Sequence, residues 1–252
     1  MKPNFFPGVL AQLALGAALL MGGVSSASAT SVLVWSSGNS QVRTEGVAAW
    51  VKSLGGFDSV VGVDSDSMTF AQLNAYDEVL YFSNSSSAPN NVSRGNVLAD
   101  FADTGKRLVV TTFSWANQGG NTLGGRFVSE AISPYAVDGS SLYSSVTMSS
   151  NDGSAFFTGV NTLSGLFHDD VALTAGAMSL ATWSDGQSLL AVKNNVVGVN
   201  LFPDDSFGTL GGDYRQLFVN ALGANIDGQV PEPSTLLLVA VGALALSRRR
   251  RN

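Results

Sequence analysis

The sequence predicts a mixed α/β domain with a doubly wound, mostly parallel sheet, to which antiparallel strands are added in the second half. Two observations lead to this fold. Between residues 31 and 113, short and almost continuously apolar segments alternate with segments of helical periodicity, which is typical of a parallel sheet with helices on both faces. Further along, three apolar segments are separated only by the turn sequences SDGQ and NN, which favours an antiparallel meander.

The first half divides into four strands and the helices between them. Ser31–Trp35 is a strand rich in β-branched residues, and apolar positions from Val42 to Leu54 recur at helical spacing up to a Gly-Gly stop signal. FDSVVGVD and YDEVLYFSN are predicted as the next two strands, with one helical turn at Phe70–Leu73. Val92–Phe101 is predicted as a helix and KRLVVTTF as the fourth strand. Right-handed crossovers leave few topologies, of which the flavodoxin-like sheet fits this order best.

The second half is less regular. A loop rich in glycine and asparagine spans Ser114–Gly125, and a short helix is predicted at Arg126–Ala131. The apolar spacing between Asp213 and Leu222 predicts the helix that closes the domain. Four further segments are predicted as strands: Leu142–Met148, Ser179–Trp183, Leu189–Lys193 and Val196–Phe202.

The N-terminus is predicted to be a targeting segment rather than part of the fold. Residues 1–29 have a basic start, an apolar run and the small-residue cleavage site Ala27-Ser28-Ala29, as in a secretory signal peptide. Signal peptidase is the expected partner, and Thr30 is the expected first residue of the mature protein. Residues 30–226 then form the α/β domain, and residues 227–252 form a C-terminal tail.

Charge and composition exclude several function classes. Removing Lys2 and Arg248–Arg251 from the 13 basic residues, and Glu232 from the 19 acidic ones, leaves eight against 18, a net charge of −10 for residues 30–230. Such an acidic body argues against nucleic acid as a partner. The sequence contains no cysteine, so disulfides, thiolate zinc sites and a cysteine nucleophile are all excluded.

The C-terminal tail combines three features in a fixed order. Pro231, Glu232 and Pro233 come first, a run of 12 apolar or small residues from Thr235 to Leu246 follows, and a basic cluster ends the tail: Arg248, Arg249, Arg250 and Arg251. A spanning helix usually needs about 20 apolar residues, so this is a marginal span. The arginines would hold its end in the cytoplasm. The alternative is a buried C-terminal helix, which four successive arginines disfavour.

These three features resemble the PEP-CTERM sorting signal of exported proteins in Gram-negative bacteria that tend to make extracellular polysaccharide. The resemblance covers only about 22 residues. It implies a transient membrane anchor that an exosortase, a membrane protease, recognises and cleaves near Pro-Glu-Pro. The protein is then expected at the cell envelope, on the cell surface or outside the cell, with extracellular polysaccharide as a candidate partner.

Three segments of the body carry a second resemblance: VLADFADTGKRLVVTTFSW, FFTGVNTL and VVGVNLFPDDSFGTLGGDYRQLFVNAL. They look like parts of the class I glutamine amidotransferase-like fold, and in particular of its non-catalytic branches on exported proteins. The similarity spans Ser31–Ala224. Amidotransferases of this class carry a Gly-x-Cys-x-Gly elbow and a downstream His-x-Glu, and this chain has neither. The resemblance therefore implies the fold without amidotransferase chemistry.

His168 is the first candidate for chemistry, because Asp169 and Asp170 follow it directly. An imidazole beside a carboxylate can serve as a general base or a metal ligand. A metal site, however, needs three or four ligands, and adjacent aspartates in a strand point in different directions. A polar loop before a strand that starts near Val171 is the favoured interpretation.

Ser114 is the second candidate, because it follows the fourth strand, where hydrolases of this architecture place a nucleophile. A nucleophile elbow has glycine two residues before and two residues after the serine. Thr112 and Ala116 stand there instead. The sequence therefore disfavours both the elbow and a triad of Ser114 with His168 and Asp170.

Acidic pairs at strand ends are the third candidate. Asp64 with Asp66, and Asp204 with Asp205 near Asp213, follow predicted strands, and ligands of open α/β sheets bind where strand ends meet. Weak calcium or sugar binding at this edge is one interpretation, and ordinary solvated loops are the other. The glycine-rich loop before Arg126 lacks the Lys-Ser/Thr of a phosphate loop, and no cofactor is predicted.

The leading hypothesis for function is a non-enzymatic exported protein with a binding or structural role. An extracellular hydrolase acting on polysaccharide or ester is an alternative, which for a glycosidase needs two carboxylates about 5–10 Å apart. Carbohydrate binding without turnover is another, since Trp35, Trp115 and Trp183 could stack on sugars. Buried core tryptophans explain these three residues equally well, so their exposure decides.

Overall fold

The computed structural model describes residues 30–84, 91–116, 122–137 and 139–223. The predicted signal peptide and the predicted tail from Pro231 onward lie outside these ranges. The described strands are β1 (Ser31–Ser37), β2 (Ser59–Asp64), β3 (Glu78–Ser83), β4 (Arg107–Thr111), β5 (Ser141–Asn151), β6 (Leu163–Asp169), β7 (Met178–Trp183), β8 (Ser188–Lys193), β9 (Val196–Val199) and β10 (Leu210–Gly212). The helices are α1 (Gln41–Gly55), α2 (Phe70–Leu73), α3 (Asn91–Ala102), α4 (Arg126–Ser129) and α5 (Tyr214–Gly223), with 3₁₀ turns at Ala155–Phe157 and Asp205–Phe207.

All the described strands belong to one sheet, in the order β10-β6-β5-β7-β8-β9-β4-β3-β1-β2. The five strands from β9 to β2 pair in parallel. The remaining strands pair antiparallel, starting with β8 against β9. The mixed α/β architecture and the antiparallel addition in the second half are therefore confirmed. Strand β9 belongs to both halves, because it pairs with β4 on one side and with β8 on the other.

Helices cover both faces of the parallel half, and β1 shows how the sequence specifies this arrangement. Successive side chains of a strand point to opposite faces. Val32 and Val34 pack in the cluster that contains the inner sides of α1 and α5, whereas Leu33 and Trp35 pack in the cluster with α2, α3 and α4. All four side chains are completely buried. A continuous apolar run is thus required because both faces of the strand are covered.

Helix α1 has clear sequence signals at both ends. The Ser40 side chain accepts a hydrogen bond from the backbone N–H of Arg43, which satisfies one of the free donors of the first turn. At the other end Gly56 adopts the left-handed conformation with φ of 66°, which glycine tolerates without a steric penalty. These two signals set the ends of helix α1, which begins at Gln41, shortly after β1 ends at Ser37.

Two strands depart from the sequence interpretation. Leu163–Asp169 forms β6, whereas the sequence suggests a polar loop around His168 and a strand near Val171. Asp170 and Val171 instead follow the end of β6. Long-range pairing explains the difference, because β6 is stabilised between β5 and the short β10 rather than by a local apolar pattern. Strand β10 is itself absent from the sequence interpretation.

Candidate functional site

The carboxyl ends of the parallel strands meet at one edge of the sheet, which is where open α/β sheets bind ligands. Asp64 is the last residue of β2, Ser114 follows the end of β4, and Asp204 and Asp205 follow β9. His168 lies at the end of β6, one residue before Asp169, on the antiparallel side of the same edge. The structure thus places most of the predicted site residues at this carboxyl edge, on several different loops.

The carboxylates of Asp64 and Asp66 are held by the last residues of β1 and by the loop that follows it. Ser36 Oγ donates to Asp64 Oδ1 at 2.6 Å, and the backbone N–H of Asn39 donates to the same oxygen at 3.1 Å. Ser37 Oγ donates to Asp66 Oδ1 at 3.1 Å. These bonds join the ends of β1 and β2, so both carboxylates have a local structural role at this edge.

The sharp turn after β4 is at Phe113 rather than at Ser114. Phe113 has φ of 70°, a left-handed conformation that costs a residue with a side chain about 1–2 kcal/mol. A strand-end elbow needs such a turn at its nucleophile, and here that position carries a benzyl group. Ser114 is completely buried, and its Oγ has no hydrogen-bond partner among the described residues.

His168 is a completely buried residue, not a residue of a polar loop. Its Nε2 lies 2.7 Å from Oδ2 of Asp185, in the turn between β7 and β8. Burial would raise the pKa of Asp185, but hydrogen bonds from the Gln187 backbone and from His168 outweigh it and hold that pKa below its usual range. Asp170 has a different partner, since its Oδ1 accepts from Gln187 Nε2 at 2.9 Å. His168 and Asp170 therefore each join β6 to the β7–β8 turn.

Asp169 holds the strained turn in place. Its carboxylate accepts the backbone N–H of Phe113 at 2.7 Å through Oδ2, and the hydroxyl of Ser141 at 3.0 Å through Oδ1. Burial raises the pKa of this carboxyl to about 6, against the effect of both hydrogen bonds. In the sequence Asp169 stands out only as a neighbour of His168, and this role is not predictable there, because nothing local indicates the contact with residue 113.

Asn200 completes the network around Asp169. Its Oδ1 accepts the backbone N–H of Asp169 at 2.7 Å, and its Nδ2 donates to the backbone oxygens of Asp169 at 2.8 Å and Ser188 at 3.0 Å. The hydroxyl of Thr112 also donates to Oδ1 at 3.2 Å. One buried amide therefore connects the segments after β4 and β9 with β6 and β8. The only signal for it in the sequence is a polar residue that ends an apolar strand.

An aromatic cluster fills the space beside the turn after β4. The ring centroid of Phe113 lies 5.3 Å from that of Phe202 and 5.7 Å from that of Phe167. Tyr143 extends the cluster at 5.8 Å from Phe167, and Phe207 extends it at 6.2 Å from Phe202. Apolar packing therefore occupies the position where a reactive group of an elbow would face its base.

A groove of about 530 Å³ lies beside this cluster, between α1, α5 and the β9–β10 loop. We call it the α1–α5 groove. Asp205 Oδ2 accepts from Arg215 Nη2 and from the hydroxyl of Tyr214, both at 2.5 Å. The guanidinium of Arg43 stacks on the Phe207 ring at 4.7 Å from its centroid. The groove is lined by Val42, Arg43, Gly46, Val47, Ala49, Trp50, Ser53, Asp204, Asp205, Ser206 and Arg215.

Two of the binding modes considered from the sequence find no site among the described residues. Trp35 and Trp115 are 0 % exposed and Trp183 is 1 % exposed, so no sugar can stack on them. Their indole N–H groups donate to Ser65, Ser133 and Asn200 within the fold. The same part of the chain contains no cluster of three or more acidic or histidine side chains that could hold a metal ion.

The tail of the chain gives the clearest match to known proteins. Residues 229–251 match the model of the PEP-CTERM protein-sorting motif. The tail is a PEP-CTERM sorting motif. Such a motif implies export to the cell envelope or surface with exosortase sorting, as the three features of the tail predicted. No helix in the described part of the chain is both long and apolar enough to cross a membrane, and the predicted short transmembrane helix between Thr235 and Leu246 lies outside that part.

Solved structures resemble the body of this chain at low sequence identity. A cytoplasmic protein of Salmonella typhimurium LT2 has a TM-score of 0.56 at 13 % identity and covers 76 % of this chain and 98 % of its own. A second cytoplasmic protein of Salmonella typhimurium has a TM-score of 0.52 at 13 % identity. The match covers 76 % of this chain and 97 % of the Salmonella protein. A glutamine amidotransferase of Thermotoga maritima has a TM-score of 0.47 at 12 % identity. The match covers 68 % of this chain and 75 % of the amidotransferase. No curated protein sequence matches the chain.

The buried carboxyl of Asp169 predicts a pH dependence of stability. Its pKa is raised to about 6 in the folded protein, above the usual value of about 3.9. The stabilising contribution of the protonated carboxyl is therefore complete below about pH 4 and is lost as the pH rises through 6. Relative to an Asp169→Asn variant, the native chain should lose up to about 3 kcal/mol of unfolding free energy between pH 4 and pH 7. Urea unfolding across this range measures the difference, and a pH-independent difference would contradict the assignment.

Proposed function

We propose that this chain is a non-enzymatic binding protein that exosortase-dependent sorting delivers to the cell surface or the extracellular matrix. Residues 1–29 would act as the signal peptide, residues 30–226 as the functional domain, and residues 227–252 as the sorting tail. The proposal that the protein is non-enzymatic rests on Phe113, which occupies the left-handed turn after β4. A phenylalanine side chain cannot act as a nucleophile or a base, because it carries no nucleophilic or ionisable group.

The described titratable groups near this turn support the same conclusion. His168 is enclosed and paired with Asp185. Asp169 accepts the backbone N–H of Phe113, and Asp64 accepts from Ser36 at the end of β1. Catalytic acids and bases must instead reach a substrate atom within hydrogen-bond distance. The hydrogen bonds of these groups therefore stabilise the fold.

We interpret the body as a doubly wound sheet of the amidotransferase-like type. Support comes from the order β2-β1-β3-β4-β9 in the parallel half, with α1 and α5 on one face and α2, α3 and α4 on the other. In this interpretation the fold retains its ligand-binding edge without the reactive residues of the catalytic members.

Extracellular polysaccharide is the partner class that we favour for this edge. Support comes from the resemblance of the tail to sorting signals of bacteria that tend to make such polymers, and from the α1–α5 groove, which offers polar groups beside an apolar wall. Hydrolysis of the same polymers is the competing function, and it would require an acid and a nucleophile that face one another across a cleft.

Hydrolytic assays test the proposal directly. We expect no turnover above the buffer rate with ester, glutamine or polysaccharide substrates. Turnover that Ser114→Ala or Asp204→Asn abolishes would overturn the non-enzymatic role. The control is Asp152→Asn, because Asp152 accepts the backbone N–H two residues ahead, just as Asp204 does, but on an exposed turn.

Sorting is tested by changing the motif itself. Replacing Pro231, Glu232 and Pro233 together by alanine should block processing, so that the basic end stays on the protein in the membrane fraction. Intact mass measured on separated membrane and medium fractions reports this retention. The neighbouring substitution Ser234→Ala is the control and should leave processing unchanged. Equal release of both variants into the medium would contradict exosortase-dependent sorting through this motif.

A further inference from the structure

Two residues that line the α1–α5 groove each carry a buried polar atom without a hydrogen-bond partner among the described residues. Asp204 is 2 % exposed and Trp50 is 7 % exposed. Asp204 Oδ1 accepts the backbone N–H of Ser206 at 2.9 Å, but its Oδ2 has no partner among the described residues, and neither has the indole N–H of Trp50. Buried polar groups are nearly always hydrogen-bonded, so each exception calls for an explanation. Asp204 Oδ2 lacks a donor and the Trp50 indole N–H lacks an acceptor, and the two residues that carry these atoms line the same groove.

The charges of the groove balance. Arg43 and Arg215 face Asp204 and Asp205 along its lining, and Arg215 is already paired with Asp205. An anion would meet the unpartnered carboxylate oxygen of Asp204 and be repelled. A simple cation could bond to Asp204 but could not accept from Trp50. The groove therefore suits an uncharged ligand that can both donate and accept hydrogen bonds.

A hydroxyl group meets this requirement, because it carries one donor and two acceptor lone pairs. The groove also has an apolar wall of Val42, Val47 and Ala49, against which the C–H face of a sugar ring can pack. Its volume of about 530 Å³ lies within the usual range for small-molecule sites, about 300–1,000 Å³. A peptide fits less well, since the groove lies between two helices and offers neither a free sheet edge nor an aromatic-lined channel.

Gly46 is a third and independent observation. It lies in the interior of α1 and lines the groove, and a Cβ built on it would meet no atom within 4 Å. Glycine inside a helix is destabilising relative to alanine, and no close packing against a neighbour requires it here. What its missing side chain does provide is open space in the wall of the groove.

We propose that the α1–α5 groove binds a short segment of a neutral saccharide. A hydroxyl of the sugar donates to Asp204 Oδ2, a second oxygen accepts from the indole of Trp50, and the ring packs over Gly46. Both protein atoms are covered in the free groove, so the ligand reaches them with a small adjustment of the wall. This inference rests on the proposed binding function and names its ligand class.

Calorimetric titration of the full chain in detergent tests the site. The probes are uncharged tetrasaccharides derived from glucan, galactan and mannan, with tetragalacturonate and a Gly-Ser tetrapeptide for comparison. We expect at least one uncharged tetrasaccharide to bind. Gly46→Leu, which fills the groove, and Asp204→Asn, which removes the carboxylate acceptor, should each weaken this binding at least tenfold.

The controls separate blocking of the groove from loss of fold. Gly46→Ala and Gly46→Leu should both unfold at or above the native temperature, because each residue has a higher helix propensity than glycine. Asp152→Asn should bind like the native chain, since it changes a matching turn outside the groove.

Each other outcome is decisive. Absence of binding for all three uncharged probes, preference for tetragalacturonate or the tetrapeptide, or full binding by Gly46→Leu would overturn the saccharide site. Binding that survives both groove variants would leave the proposed binding function intact and place it elsewhere on the protein. Release of reducing ends from a bound probe would instead overturn the non-enzymatic function while leaving the groove as the site.

Discussion

The buried side chains of Asp169 and Asn200 connect the two halves of the sheet, and the carboxyl edge depends on them. Asn200 bonds to the backbone of Asp169 and Ser188, and Asp169 bonds to the backbone N–H of Phe113. The strands β4 and β9 belong to the parallel half, whereas β6 and β8 belong to the antiparallel addition. Removal of one partner from such a network leaves a buried polar group without a hydrogen bond, which costs about 1–3 kcal/mol for each group. This edge is therefore held as one unit.

The network determines what the edge can do. It fixes a left-handed turn after β4, and that turn carries Phe113 and the aromatic cluster around it. Strain of this kind persists only when the surroundings compensate for it, and the hydrogen bond from Asp169 is part of that compensation. In a catalytic elbow the same geometry would expose a nucleophile. Here the turn instead positions Phe113 for aromatic packing. The concave surface beside it is the α1–α5 groove.

The sequence predicts the parallel half well, because its strands are local apolar runs buried on both faces. Ser31–Trp35 and the segments that form β3 and β4 need no long-range information to be recognised. The strand β6 is different: it contains Gly165, His168 and Asp169, and only its pairing with β5 makes it a strand. The tail is also recognisable from its order of residues alone, since sorting depends on a linear motif.

The candidate site is less predictable for the same reason. Asp204 stands out in the sequence as an acidic residue at a strand end, but its unpartnered oxygen depends on how α1 packs beside the β9–β10 loop. Ser114 attracts attention as a possible nucleophile, yet a backbone angle places the turn one residue earlier, at Phe113. A buried tryptophan and one that lines a groove look alike in a sequence, and Trp50 differs from Trp183 only in where the fold puts it.

Amide hydrogen exchange at Phe113 and Asp169 shows directly whether the edge is closed. Both N–H groups donate to buried side chains at 2.7 Å, so in a closed and rigid edge they exchange only when the whole domain unfolds. We expect protection equal to that of the central amides of β4, such as Val109 and Val110. Exchange of Phe113 or Asp169 that is several orders of magnitude faster would show that the edge opens locally, and it would contradict a closed edge built for packing rather than for chemistry.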